Sequence, residues 1–119
     1  MICQYDYNSK IVDVLVGDYI DNIVVLNDKI YYTDMRNLYS FDLNTKEIQA
    51  ITKDGVVIGS SLNIYGDYVI YSNLNEIVST VALNTKNGHS FPVSYMSCSL
   101  IYVIGDHLVT DRGVIEFNG

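Results

Sequence analysis

Apolar positions along this chain fall in short runs of β-branched and aromatic residues, broken every eight to ten residues by Gly, Asn or Asp. Ile23-Val24-Val25-Leu26, Ile30-Tyr31-Tyr32-Thr33, Leu38-Tyr39-Ser40-Phe41, Val69-Ile70-Tyr71 and Leu100-Ile101-Tyr102-Val103 are such runs. No stretch of a dozen residues keeps apolar side chains at three-and-four spacing, so no amphipathic helix is expected. Short runs bounded by turn residues are the pattern of antiparallel strands, and the expected class is all-β.

The runs repeat. Asn27-Asp28-Lys29-Ile30-Tyr31-Tyr32-Thr33-Asp34 recurs as Gly66-Asp67-Tyr68-Val69-Ile70-Tyr71-Ser72-Asn73. A third copy, one residue shorter, is Gly105-Asp106-His107-Leu108-Val109-Thr110-Asp111, and the leading aspartates step by 39. A second element, Phe41-Asp42-Leu43-Asn44-Thr45-Lys46, matches Val81-Ala82-Leu83-Asn84-Thr85-Lys86 at a step of 40, with an earlier copy at Tyr5-Asp6-Tyr7-Asn8-Ser9-Lys10. The clearest unit reads as four strands, at about 22–27, 29–34, 37–43 and 46–52. A four-stranded unit of about 40 residues has the period of a propeller blade.

The turn Asp, the Ile-Tyr-Tyr-Thr-Asp strand and the following Asn-Leu-Tyr-Ser-Phe-Asp-Leu-Asn-Thr-Lys resemble blades of bacterial β-propellers of the TolB and pyrroloquinoline-quinone-repeat type. The tryptophan of the quinone-binding repeats is missing, as are the Gly-His and Trp-Asp marks of WD repeats. The resemblance therefore implies the blade fold, and the missing tryptophan argues against a quinone cofactor.

One domain, residues 1–119, is expected, with units at roughly 17–54, 55–93, and 94–119 plus 1–16. Three units do not comfortably close a ring, since closed propellers typically have four to eight blades. The chain starts on what aligns with third and fourth strands and ends at Val114-Ile115-Glu116-Phe117-Asn118, which aligns with a third. A homodimer closing as a six-bladed ring is the expectation, each chain's start completing the other's end; a compact monomeric β-sandwich or barrel, its repeats echoes of hairpins, is the alternative.

Composition narrows the function. Fourteen acidic residues against seven basic ones give a net charge of -7, the wrong sign for a protein that tracks nucleic-acid phosphates. No apolar run approaches a membrane span, and the N-terminal residues lack the basic region and apolar core of a signal peptide, so a cytoplasmic setting is expected. Cys3 and Cys98, 95 residues apart, read as reduced, buried thiols rather than a disulfide or metal pair. Eleven Tyr, 14 Ile and 11 Asn are residue types with AT-rich codons, pointing to a low-GC bacterium, its phage or a large DNA virus.

Candidate ligand-binding residues are Asp34, Asn73 and Asp111, which follow the second strand of each unit, and the strand tyrosines, above all Tyr32 and Tyr71. Carboxylate and amide oxygens converging on an axis suit a hard cation. Asp and Asn at strand ends also cap turns through their own side chains, and that role is the one expected here, so no metal and no cofactor are assigned. There is no Gly-x-Ser-x-Gly elbow, because Gly59-Ser60-Ser61-Leu62 lacks the second glycine, and no phosphate-cradling loop. The chain reads as a non-catalytic protein-binding or assembly module. Lectin-like binding of carbohydrate at blade interfaces is the alternative, and an acidic phage or viral inhibitor of a host protein ranks third.

Overall fold

The computed structural model describes residues 1–17, 19–53, 55, 57–74 and 79–116, and among them every regular element is a strand. A two-stranded hairpin, β1 (Ile2–Asp6) and β2 (Ile11–Val16), comes first. The first sheet follows in chain order: β3 (Asn22–Leu26), β4 (Lys29–Thr33), β5 (Leu38–Asp42) and β6 (Ile48–Ala50). A second four-stranded sheet holds β7 (Val57–Tyr65), β8 (Tyr68–Asn73), β9 (Ser79–Asn84) and β10 (Ser90–Ser94). The third sheet has β11 (Ile101–Ile104), β12 (His107–Thr110) and β13 (Gly113–Glu116). The expected extension of the last strand into Phe117 and Asn118 lies outside the described residues. Every pairing is antiparallel between strands adjacent in sequence.

Two kinds of turn recur along the chain. Asn27-Asp28 joins β3 to β4 with both residues left-handed (φ 52° and 62°), as a type I′ turn requires. Gly66-Asp67 and Gly105-Asp106 do the same work with only the glycine left-handed (φ 57° and 59°), the pattern of type II′. The second, in the hairpin and the first two sheets, is a five-residue loop closed by the Asp or Asn side chain that opens it. Asp6 Oδ1 accepts from the Asn8 amide, and Asp42 Oδ1 from the Asn44 amide, both at 2.8 Å. Asn84 Oδ1 accepts from the Lys86 amide at 2.9 Å. The loops end on left-handed Lys10, Lys46 and Gly88. Asn84 thus stands where Asp42 stands, a step of 42. The sequence match of Asn44-Thr45-Lys46 to Asn84-Thr85-Lys86 is two residues out of structural register. Ladder pairing settles this, since Lys29 faces Asp42 and Tyr68 faces Asn84.

Both faces of the sheets are apolar, and the interior forms as three seams. Ile2 and Val16 of the hairpin meet Ile30, Tyr32 and Phe41 of the first sheet. Tyr31 and Leu38 meet Val57, Leu62, Val69 and Tyr71 of the second. Ile70 and Ala82 meet Cys98, Ile101 and Leu108 at the third. The step of 39 is the packing period. Ile30, Val69 and Leu108 each point back into the preceding seam, and Tyr31 and Ile70 point forward into the next. Axes of 45 × 31 × 26 Å describe an open stack of sheets.

Side-chain hydrogen bonds fix the sheets sideways. Asn22 Nδ2 donates to the Gly59 carbonyl at 2.9 Å, and Asn63 Nδ2 to the Ile101 carbonyl at 2.7 Å, each crossing to the first strand of the next sheet. Within the second sheet, the Cys98 amide donates to Ser72 Oγ at 2.8 Å, and Ser72 Oγ lies 2.8 Å from Thr80 Oγ1. Thr80 donates in turn to the Met96 carbonyl at 2.8 Å, and the Ser72 amide donates to Ser61 Oγ. This relay ties the crossing segment of residues 95–100 to the sheet beneath it. Thr33, the first-sheet counterpart of Ser72, is fully buried, and its hydroxyl has no hydrogen-bond partner among the described residues. Leu38 stands there in place of Thr80.

Opposite stability effects are therefore expected at equivalent positions. Ser72→Ala strands the Cys98 amide and should cost about 1–3 kcal/mol, whereas Thr33→Val removes an unpaired hydroxyl and should be neutral or stabilising by up to about 1 kcal/mol. Gly59→Ala would place a Cβ 1.8 Å from Asp21 Oδ2 and 2.9 Å from Thr33 Oγ1, a clash expected to cost about 1–3 kcal/mol. Urea denaturation midpoints measure all three.

Candidate functional site

The residues singled out from sequence fall into two groups. Asp34 caps its own turn, whereas Asp111 bonds amides distant in sequence instead of the turn it stands in. Asp34 leaves β4 and folds the chain into β5, its Oδ1 accepting from the Arg36 and Asn37 amides at 3.1 and 2.9 Å. Burial pushes its pKa up, but those two amides and the Tyr39 hydroxyl outweigh it and hold the carboxyl below its ordinary value. Asp111 reaches back across its sheet, its Oδ1 accepting from the Ser99 and Leu100 amides at 2.9 and 3.3 Å. Asn73 closes β8, paired with Val57 on one side and Ser79 on the other. The three residues sit at matching strand ends in three separate sheets. Among the described residues, no three His, Cys, Asp or Glu side chains gather closely enough to hold a metal ion.

Tyr32 and Tyr71 are core side chains of two different seams. Tyr32 stacks on Tyr39 with ring centroids 5.3 Å apart and planes 21° from parallel. Burial pushes the Tyr71 hydroxyl up. Among the described residues, none of the clefts set out below is lined by Tyr32, Tyr71, Asp34, Asn73 or Asp111. Cys98 is buried as expected, whereas Cys3 is exposed, one residue beyond the part of β1 that packs on the first sheet.

A concave site does exist where sequence gave no sign of it. Between the first and second sheets lies a cleft of about 160 Å³, lined by Lys29, Tyr31, Ser40 and Gln49 on one side and by Asn84 and Thr85 on the other. Strand register builds the near wall, since Tyr31 faces Ser40 and Ser40 faces Gln49 across the sheet. Lys29, Ser40 and Gln49 continue into an adjoining depression of about 290 Å³ bounded by Asp42, Thr45 and Glu47. Tyr31 forms the floor, and burial pushes its hydroxyl up, keeping it neutral and able to donate. The lining offers ammonium, hydroxyl and amide groups beside one aromatic ring. That set suits a small neutral polyol, and it contains no nucleophile paired with a base. Its far wall comes from the Asn84–Gly88 turn, and only the structural register of that turn brings it opposite Gln49.

Searches against family models and against curated proteins return no match. Two solved structures match with a TM-score of 0.57: the N-terminal domain of Nup159, a β-propeller, and an S. cerevisiae complex of Dbp5 bound to Nup159, Gle1, IP6 and ADP. In each case the sequences are 17% identical, and the match covers 77% of this chain and 24% of the other. This chain thus spans about a quarter of the propeller it resembles, and its fold is propeller-like.

Three carboxylates, Asp6, Asp34 and Asp42, have folded pKa values held below the ordinary one. For Asp6 and Asp42 the cause is backbone amides of their own turns. A depressed folded pKa contributes stability above the unfolded value, and that contribution is lost as pH falls through the folded one. Stability is therefore expected to be insensitive to these groups from neutral pH down to about 5 and to decline below about 4. Asp34→Ala should cost about 1–2 kcal/mol at pH 7 and less at pH 3. Thermal melts across that range measure the difference.

Proposed function

We propose that this chain is a non-catalytic scaffold, a set of propeller-type blades that closes by self-association and presents edge loops to a protein partner. In this reading its sheets are three units of four-stranded type, akin to TolB and pyrroloquinoline-quinone-repeat blades, and two chains make a six-bladed ring working inside the cell. The observation that carries the reading is the two-faced apolar character of every sheet. Such sheets bury their flanks only against further sheets of the same kind.

A second reading rests on the cleft between the first and second sheets. Its polar lining over a tyrosine floor favours binding of a small carbohydrate, with Lys29 and Gln49 holding hydroxyls and Tyr31 under the ring face.

Static light scattering at micromolar concentration tests the scaffold reading, with twice the chain mass of 13.4 kDa expected and the single-chain mass rejecting it. A glycan array tests the second reading. Binding that disappears in Gln49→Ala, with the melting temperature unchanged, would establish it, and an array without signal would remove it.

A further inference from the structure

The first two sheets place side chains at matching ladder positions, so each shows what the other could have used there. Residues paired directly across antiparallel strands share a face. On the face the first sheet turns to the second, Tyr31 pairs with Ser40 and Ser40 with Gln49, and Lys29 lies two residues before Tyr31 on β4. The same ladder positions of the second sheet carry Tyr68, Ile70, Ala82 and Phe91. There the seam is filled. Ile70 and Ala82 are fully buried with Cys98, Ile101 and Leu108, and Tyr68 meets Phe91 edge to face with ring centroids 6.0 Å apart. In the first sheet the polar set lines an open cleft instead.

Two of its groups are buried and unanswered. Tyr31 is 3% exposed and Ser40 6%, and among the described residues neither hydroxyl has a hydrogen-bond partner. Unlike the sealed hydroxyl of Thr33, theirs belong to side chains that line the cleft. Holding a hydroxyl away from water without a partner is costly, and one repeat later apolar residues occupy the same two positions. A ligand bearing hydroxyl groups would supply the missing partners.

Size and charge narrow that ligand. The cleft, at about 160 Å³, falls below the roughly 300–1,000 Å³ of small-molecule sites and reaches that range only together with the adjoining depression of about 290 Å³. Lys29, Ser40 and Gln49 line both. Asp42 and Glu47 in the depression set two carboxylates against one ammonium, so an amine is favoured there over an acid. Asp42 Oδ1 is engaged by the Asn44 and Thr45 amides at 2.8 and 3.1 Å, and its other oxygen accepts nothing among the described residues.

We infer that the ligand is an amino sugar of disaccharide size, lying along the cleft and the depression together. Tyr31, Ser40 and Gln49 bind its hydroxyls, and Asp42 and Glu47 take its ammonium group. The inference rests on the carbohydrate reading of the cleft and specifies the sugar.

Calorimetric titration with the β-1,4-linked dimer of glucosamine, its N-acetylated form and cellobiose tests it, at a mildly acidic pH where the amines are charged and Asp42 stays ionised. The amine dimer should bind about three- to tenfold more tightly than the two neutral sugars, the gap closing with added salt. Asp42→Asn with Glu47→Gln should erase the gap and leave the neutral sugars bound, the loop surviving because Asn84 closes its counterpart in the second sheet. Ser40→Ala with Gln49→Phe, which imports the residues of the second sheet, should weaken all three sugars about tenfold or more with an unchanged melting profile. Equal affinity for the three sugars, or a gap that persists in the carboxylate variant, overturns the amine assignment and leaves the carbohydrate reading standing. Binding untouched by Ser40→Ala with Gln49→Phe puts the sugar elsewhere and overturns this site. Failure of all three sugars to bind overturns both.

Discussion

A sheet with apolar side chains on both faces is stable in water only when something covers each face, and that requirement organises this molecule. Ile30, Val69 and Leu108 turn backward while Tyr31 and Ile70 turn forward, so every seam is filled from both sides by side chains one repeat apart. Burying a side chain of this size contributes about 1.5–3 kcal/mol. No single sheet could supply a core alone, and the stack is the smallest object that can.

Apolar contact sets how closely the sheets approach, and polar contact sets how they are offset. An Asn amide on the first strand reaches a carbonyl of the next sheet at both inner seams, from Asn22 to Gly59 and from Asn63 to Ile101. A hydrogen bond is directional where apolar contact is not, so these two side chains select one lateral register among several that would bury similar area. The Asp21 side chain lies over Gly59 at the same seam, so a side chain at 59 would have to displace it.

Much of this fold is legible in the order of residues. Two-residue turns carrying Asp at 28, 67 and 106 mark the hairpins, and alternation of apolar side chains around them places the central strands to within a residue or two. The other turn misleads, because Asn-Thr-Lys reads as a repeat while the chain uses the side chain two residues earlier, Asp42, where the second sheet uses Asn84. Only ladder pairing separates those alternatives. Strand β7 is nine residues long, with an irregular register between Ile58 and Asn63, and its Gly-Ser-Ser sequence hides it from any propensity argument. Tyr32 and Tyr71 show why the site was harder to read than the fold. Tyrosine in a strand pattern has the same appearance whether it faces a ligand or a neighbouring sheet, and these two face sheets. The cleft at Lys29, Ser40 and Gln49 depends on which turn of the second sheet lies opposite, and local sequence does not encode that.

The ladders join only strands adjacent in the chain, and each seam joins only adjacent sheets. Among the described residues, no core seam joins the first sheet to the third. Such a molecule can lengthen or shorten by one whole repeat with little disturbance to the remainder, because each new sheet meets the same two surfaces its predecessor met. Duplication of a 39-residue segment is then a conservative change, where a three-residue insertion inside a seam is not. Growth by copying is written into the packing itself.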